Sequence, residues 1–412
     1  MFRYRSQLFF AMFAVAISLL RPLAHLSTGS GQLIETLPTR AGVDVYESMK
    51  PDRLAGKTVG LITNQTGVDS AGMRTIDALA SRKDLKLVAL FSPEHGIEGR
   101  ADAHVADSTD PETGLRIRSL YNDTRRPTDD MLRGIDVLVF DVQDAGVRFY
   151  TYVTTMAYCM EAAAKHGIEF VVFDRPDPLG GEMIEGPMLD PERTSFTGYF
   201  PMPVRYGMTL GELAKMFNAE NKIGANLHIF SMEHWRRRET YDVTGLRWIP
   251  PSPNLRTVNT AFLYPGVEIL QAGGISVGRG TDSPFEMLGA PWIRADQFAA
   301  ELERRKIPGV RFAPAQFTPP EGTYRGQACQ GVTISVTNRD ALQSMRVGLE
   351  IADALHRMYS GDFQLDKIVD LLGSHSTIDR LKRGDAPSDI VAGWSADLAK
   401  FRVIREKYLL YH

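Results

Sequence analysis

Cysteine is scarce: the 412 residues contain two, Cys159 and Cys329. That count excludes a disulfide-built scaffold, and no CxxC or Cys/His spacing suited to zinc occurs. Cys159 falls in a helical run and Cys329 beside a strand-like run, which favours two buried free thiols over a bridge. Net charge is also scarce, since 47 Lys and Arg stand against 50 Asp and Glu for a formal charge of −3. No broad positive field exists to draw nucleic acid or anionic lipid, so no nucleic-acid partner is expected. Phosphate-cradling loops are missing: there is no GxxxxGK[ST], and no GxGxxG follows the first strand. No cofactor is therefore expected.

Long apolar runs are missing too, with one exception. Arg3 and Arg5 precede an apolar stretch from Leu8 to Leu20, broken only by Ser18, and small and polar residues follow through Ser27, Thr28 and Gly29. This is the order of a secretory signal peptide. The apolar core is too short for a comfortable membrane span. Residues 1–28 are read as a signal peptide, and the protein as exported, periplasmic or secreted, with no stable membrane insertion.

What remains has ordinary globular composition, 43% hydrophobic and 24% charged, and a length that suggests two domains. A βα rhythm runs through its first half. Lys57 to Thr63, Lys86 to Phe91, Ile135 to Val142 and Glu169 to Asp174 read as strands, and Arg74 to Arg82 and Thr151 to Lys165 as helices. Near-continuous apolar strands alternating with helices predict a parallel sheet covered on both faces. After about residue 230 the rhythm changes: WIPPSP (248–253) is turn-rich, Gln330 to Val336 resembles a strand, and Asp340 to Tyr359 a long amphipathic helix. The expected architecture is α/β, a parallel-sheet domain over 40–230 followed by a smaller α/β domain over 231–412.

Each strand of the first half exits into polar residues. The first exit gives Asn64 and Gln65; the second Ser92, Glu94 and His95. The third gives Asp141, Gln143 and Asp144, then Arg148, Tyr150 and Tyr152; the fourth gives Asp174, Arg175 and Asp177. In a parallel sheet these exits share one edge, where open α/β sheets bind ligands. Glu94, set in a turn between Pro93 and Gly96, is the leading candidate.

Three chemistries compete for this edge. Gly274-Ile275-Ser276-Val277-Gly278 matches GxSxG, but the residues after it start a helix poorly and a hydrolase elbow needs that helix. His95, His104, Asp107, Asp141 and Asp144 could ligate a metal, yet no spacing supports it, and no metal site is expected. Acid catalysis remains, with Glu94 protonating a leaving oxygen and a second group nearby, as in glycoside hydrolysis. Tyr150, Tyr152 and Trp248 offer faces to a sugar ring, and Arg148 or Arg175 a partner for a substrate carboxylate.

Four blocks then coincide in order: SPEHG at 92–96, DVQDAGVRFYTY at 141–152, DRPDPLGG at 174–181 with EGP at 185–187, and GRGTDSPFEMLGAPW at 278–292. Together they resemble the NamZ-type exo-β-N-acetylmuramidases, bacterial peptidoglycan-recycling glycosidases, over roughly residues 40–412. The resemblance implies a Rossmann-like N-terminal domain, a smaller C-terminal domain and an active cleft between them. It implies release of N-acetylmuramic acid (MurNAc) from non-reducing ends of peptidoglycan fragments such as MurNAc-GlcNAc. It makes Glu94 the catalytic acid, with His95 and Asp144 beside it. It carries Arg148, Tyr150, Asp174 and Arg175 over as cleft residues, joined by Arg279 and Glu286 from the last block, and the strand exits add Asn64 and Tyr152 as substrate-binding candidates. A non-catalytic exported binder of muropeptides is the alternative.

Overall fold

Seven strands form the main sheet: β1 (Thr58–Thr63), β2 (Lys86–Ser92), β3 (Ser108–Thr109), β4 (Arg116–Ser119), β5 (Val137–Asp141), β6 (Glu169–Phe173) and, beyond a short ribbon of β7 (Glu185–Met188) and β8 (Pro203–Arg205), β9 (Leu227–Phe230). Their order is β3-β4-β2-β1-β5-β6-β9. All neighbours are parallel except β3 and β4. This computed structural model describes residues 37–50, 52–101 and 105–412. The apolar segment Leu8 to Leu20 and His104 lie outside the described residues.

Burial explains the apolar strands. Every residue of β5 is buried. Leu138 and Phe140 pack into one core with Met156 and Met160 of α3 (Tyr152–Lys165). Val137 and Val139 face a second core with Tyr46 of α1 (Gly42–Ser48) and Ile76 of α2 (Thr75–Ala80). Alternate side chains thus meet different helices, so both need to be apolar. Where the sequence shows four strands here, the sheet has seven. RIRS in β4 and LHIF in β9 are short and partly polar, and pairing with β2 and β6 supplies what their own pattern does not.

The fourth helix, α4 (Leu210–Glu220), begins in a reciprocal cap: Thr209 Oγ1 accepts from Glu212 N, and the Glu212 carboxylate from Thr209 N. In the second half, β10 (Met287–Ala290), β11 (Val310–Phe317) and β12 (Cys329–Val336) form an antiparallel sheet with β12 central. The helices there are α5 (Val258–Val267), α6 (Ala295–Arg304), α7 (Ser344–Met358) and α8 (Val369–Leu372), then α9 (His375–Lys382), α10 (Pro387–Gly393) and α11 (Ser395–Glu406). The fold is α/β, a larger mainly parallel sheet unit with a smaller α/β unit. The two share one continuous core, in which Phe149 meets Tyr264 with ring centroids 5.4 Å apart. The chain end returns to the large sheet, where the Tyr411 hydroxyl donates to Asp174. Both cysteines are free and buried.

Candidate active site

The largest cavity described, about 910 Å³, opens where residues of the two halves meet. Glu94, Tyr121, Tyr150 and Thr151 come to its wall from the first half; Tyr264, Glu268 and Arg279 come from the second. Glu94 stands just beyond β2. The turn that presents it closes through Gly96 N donating to Pro93 O at 3.1 Å. His95 and Gly96 both have left-handed backbone, with φ of 70° and 74°. A histidine there is strained by roughly 1–2 kcal/mol. Its Nδ1–H, donating to Ala101 O at 2.7 Å, helps hold it.

The Glu94 carboxylate accepts from the Thr151 hydroxyl and from the Tyr121 hydroxyl. Burial first, then the Glu94 charge, pushes the Tyr121 phenol up to about 12, so it remains a donor at neutral pH. Behind the turn, the Tyr152 hydroxyl donates to Pro251 O at 2.7 Å, lies 3.3 Å from Glu94 O, and accepts from Asn64 Nδ2 at 3.0 Å. Asn64 and Tyr152 therefore brace the Glu94 backbone from inside. Tyr150 packs edge-on against Tyr152 and Tyr264, with centroids 4.8 and 5.9 Å away. Burial holds the Tyr264 phenol well above its ordinary range, and the Glu268, Glu94 and Asp144 carboxylates add to this. Across the cavity, Arg279 donates to Gln271 Oε1 at 2.7 Å and to Glu268 Oε1 at 2.5 Å.

Of the residues expected in the cleft, Glu94, His95, Tyr150 and Arg279 reach the wall together. The others are placed elsewhere, each for a visible reason. Arg148 is fully buried, and its guanidinium donates to Pro187 O, Met202 O, Leu371 O and Leu372 O at 3.2, 2.8, 3.0 and 2.7 Å. It ties the segment after β5 to the C-terminal end of α8 instead of facing substrate. Burial lowers its pKa to about 9, which leaves it charged. Gly373, with φ of 73°, admits this contact, since a Cβ there would lie 2.6 Å from the guanidinium.

Arg175 is spent on Asp141, with contacts of 2.5 and 2.9 Å. Together they occupy the carboxyl ends of β5 and β6, on the side of the sheet where open α/β sheets commonly bind ligands. Asp174 accepts from Thr209 Oγ1 and Gly211 N at 2.7 and 2.8 Å, and so seats the start of α4. Asp144 is buried, accepts from Gly146 N at 2.7 Å and from the Tyr206 hydroxyl, and is pushed up to about 6 by burial. Glu286, raised by burial, stands outside the wall.

Tyr121, Thr151, Tyr264 and Glu268 were not singled out as site residues from the sequence. Thr151 lies inside the DVQDAGVRFYTY block beside residues that were. Tyr121 follows the weak strand β4, and Glu268 follows α5 with no motif around it.

The GxSxG reading does not assemble. Ser276 is buried in a bridge to Gly289, bonded by Gly278 N at 3.4 Å, and absent from the cavity wall. Among the described residues, one trio brings three ligand atoms within 4.8 Å of one another, Asp190, Glu192 and His375. There the His375 imidazole already meets Arg193 at 3.2 Å.

Two family models match nearly the whole described chain. Residues 59–259 match "Exo-beta-N-acetylmuramidase NamZ, N-terminal", and residues 262–411 its C-terminal counterpart. A curated relative, the peptidoglycan β-N-acetylmuramidase NamZ of Bacillus subtilis (strain 168), is 42% identical over 380 residues, covering 90% of this chain and 91% of its own. Two solved structures of DUF1343 family proteins from Bacteroides fragilis have the same fold. One has 37% identity and a TM-score of 0.83, the other 28% and 0.74, and each match covers 91% of this chain and 99% of theirs.

Proposed function

This chain belongs to the NamZ exo-β-N-acetylmuramidase family, and from that premise we propose that it hydrolyses the terminal MurNAc from non-reducing ends of peptidoglycan fragments, with Glu94 as general acid. In the proposed step the Glu94 proton goes to the glycosidic oxygen of the departing GlcNAc. The bond from that oxygen to the MurNAc anomeric carbon breaks, water supplies the hydroxyl that the carbon gains, and the remaining proton of that water replaces the one Glu94 gave up. The observation that carries this reading is the position of Glu94. It is a carboxylate on the wall of the largest cavity described, braced by two hydroxyls and by backbone contacts behind it.

Other features agree with a muramic substrate. Its lactyl carboxylate calls for a guanidinium. Arg148 and Arg175 are committed to internal partners and Arg279 pairs with Glu268, whereas Arg125 and Arg325 also line the cavity. Among the described residues no helix is long and apolar enough to cross a membrane. Export by the segment over 1–28 would bring the protein to its substrate. The test is incubation of the purified protein with MurNAc-β-1,4-GlcNAc and analysis by mass spectrometry. Free MurNAc and GlcNAc in equal amounts are expected. An intact disaccharide that nevertheless binds would overturn catalysis in favour of a muropeptide-binding protein.

A further inference from the structure

A second cavity, about 460 Å³, adjoins the first and shares Ser195 with it. Its wall includes Arg126, Tyr158, Glu161, Tyr199 and Asn221. One line of aromatic rings joins the two spaces. Tyr121, on the first wall, lies 6.1 Å from Phe196; Phe196 lies 6.0 Å from Tyr158; and Tyr158 lies 6.0 Å from Tyr199. Two adjacent arginines lie on this line. Arg125 covers Phe196 at 4.1 Å and lines the first cavity, and Arg126 covers Tyr158 at 3.5 Å and lines the second. Cation–π contact fixes the two guanidinium planes, and Arg126 also pairs with Glu161.

Taking Glu94 as the acid, as proposed above, we propose that this groove holds the leaving-side sugars of a glycan chain beyond the first two. The line starts at Tyr121, beside the Glu94 carboxylate, and an exo-acting enzyme holds a single sugar on the other side of the bond, so the extended groove belongs to the leaving side. The chemistry of the second cavity suits a neutral GlcNAc unit of the chain. Arg126 is neutralised by Glu161, which also accepts from the Tyr199 hydroxyl at 2.7 Å, so no net charge is left to select an acidic peptide. What the wall presents is a mixed set of guanidinium, carboxylate, amide and hydroxyl groups, which matches the donors and acceptors of sugar hydroxyls and acetamido groups.

The prediction is a preference for length. The tetrasaccharide MurNAc-GlcNAc-MurNAc-GlcNAc, losing only its terminal MurNAc, should show a higher kcat/KM than MurNAc-GlcNAc. Arg126→Ala and Asn221→Ala, both at exposed positions, should each lower the tetrasaccharide-to-disaccharide ratio of kcat/KM by about tenfold, the scale of one charge-assisted hydrogen bond. Taking the ratio within one protein cancels any general loss of folded enzyme. Equal kcat/KM for both substrates in the wild type, or variants that lower both in parallel, would overturn the site while leaving Glu94 as acid. Turnover of neither substrate by the wild type would overturn the proposed function and this site with it.

Discussion

Replacing Arg148 with methionine removes a buried cation that satisfies four backbone carbonyls. Each carbonyl left without a donor costs about 1 kcal/mol or more, and the total approaches the 3–5 kcal/mol typical of breaking a buried charged contact. The cost of desolvating the guanidinium is recovered in the variant, so about 4 kcal/mol is the expected net loss. For 412 residues the unfolding entropy is roughly 0.9 kcal/mol/K, so Tm should fall by about 5 °C. Differential scanning calorimetry at pH 7 measures this. Two of the carbonyls, Leu371 and Leu372, belong to α8, and Leu371 lines the cavity. The lost clamp should therefore also lower kcat. A variant with wild-type Tm and only a raised KM would refute the reasoning. It would mean that the guanidinium turns outward to meet the substrate carboxylate, the role its strand-exit position suggested.

Three further outcomes follow from the same geometry. Thr151→Val removes a hydroxyl that donates to the Glu94 carboxylate; turnover of the disaccharide should slow about tenfold with little change in Tm. Burial pushes the Asp177 pKa up to about 7 from 3.8, so the native state holds a proton that the unfolded chain has released between those values. Its contribution to stability is present below pH 4 and is lost as pH rises through 7, so Asp177→Asn should lose less Tm than the wild type over that range. Ser276→Ala should retain full activity, measured on the same disaccharide, because Ser276 stands inside a bridge away from the cavity.

The sheet and the turn that carries Glu94 were legible because both follow from local pattern. β1, β2, β5 and β6 are apolar on both faces since helices cover both, and the turn at Glu94 follows from Pro93 and Gly96. β4 and β9 were not legible, since their stability comes from a neighbouring strand. The strand exits were found correctly, but their uses could not be separated. Asp174 and Glu94 look alike in sequence, and only packing shows that one seats α4 while the other meets a cavity. Arg148 and Arg175 look available until the carbonyls and the carboxylate that occupy them are in place. Glu268 and Tyr264 come to the wall from the other half of the chain, a juxtaposition that spacing does not encode.

The central claim is that Glu94 donates the proton to the leaving oxygen. It is tested most directly by Glu94→Gln on two substrates, MurNAc-GlcNAc and 4-nitrophenyl MurNAc, whose leaving group departs without protonation. The account predicts that the variant turns over the disaccharide more slowly by about two to four orders of magnitude, the usual scale of general acid catalysis, and loses much less on the nitrophenyl glycoside. Equal losses on both substrates, or full activity on the disaccharide, would contradict it.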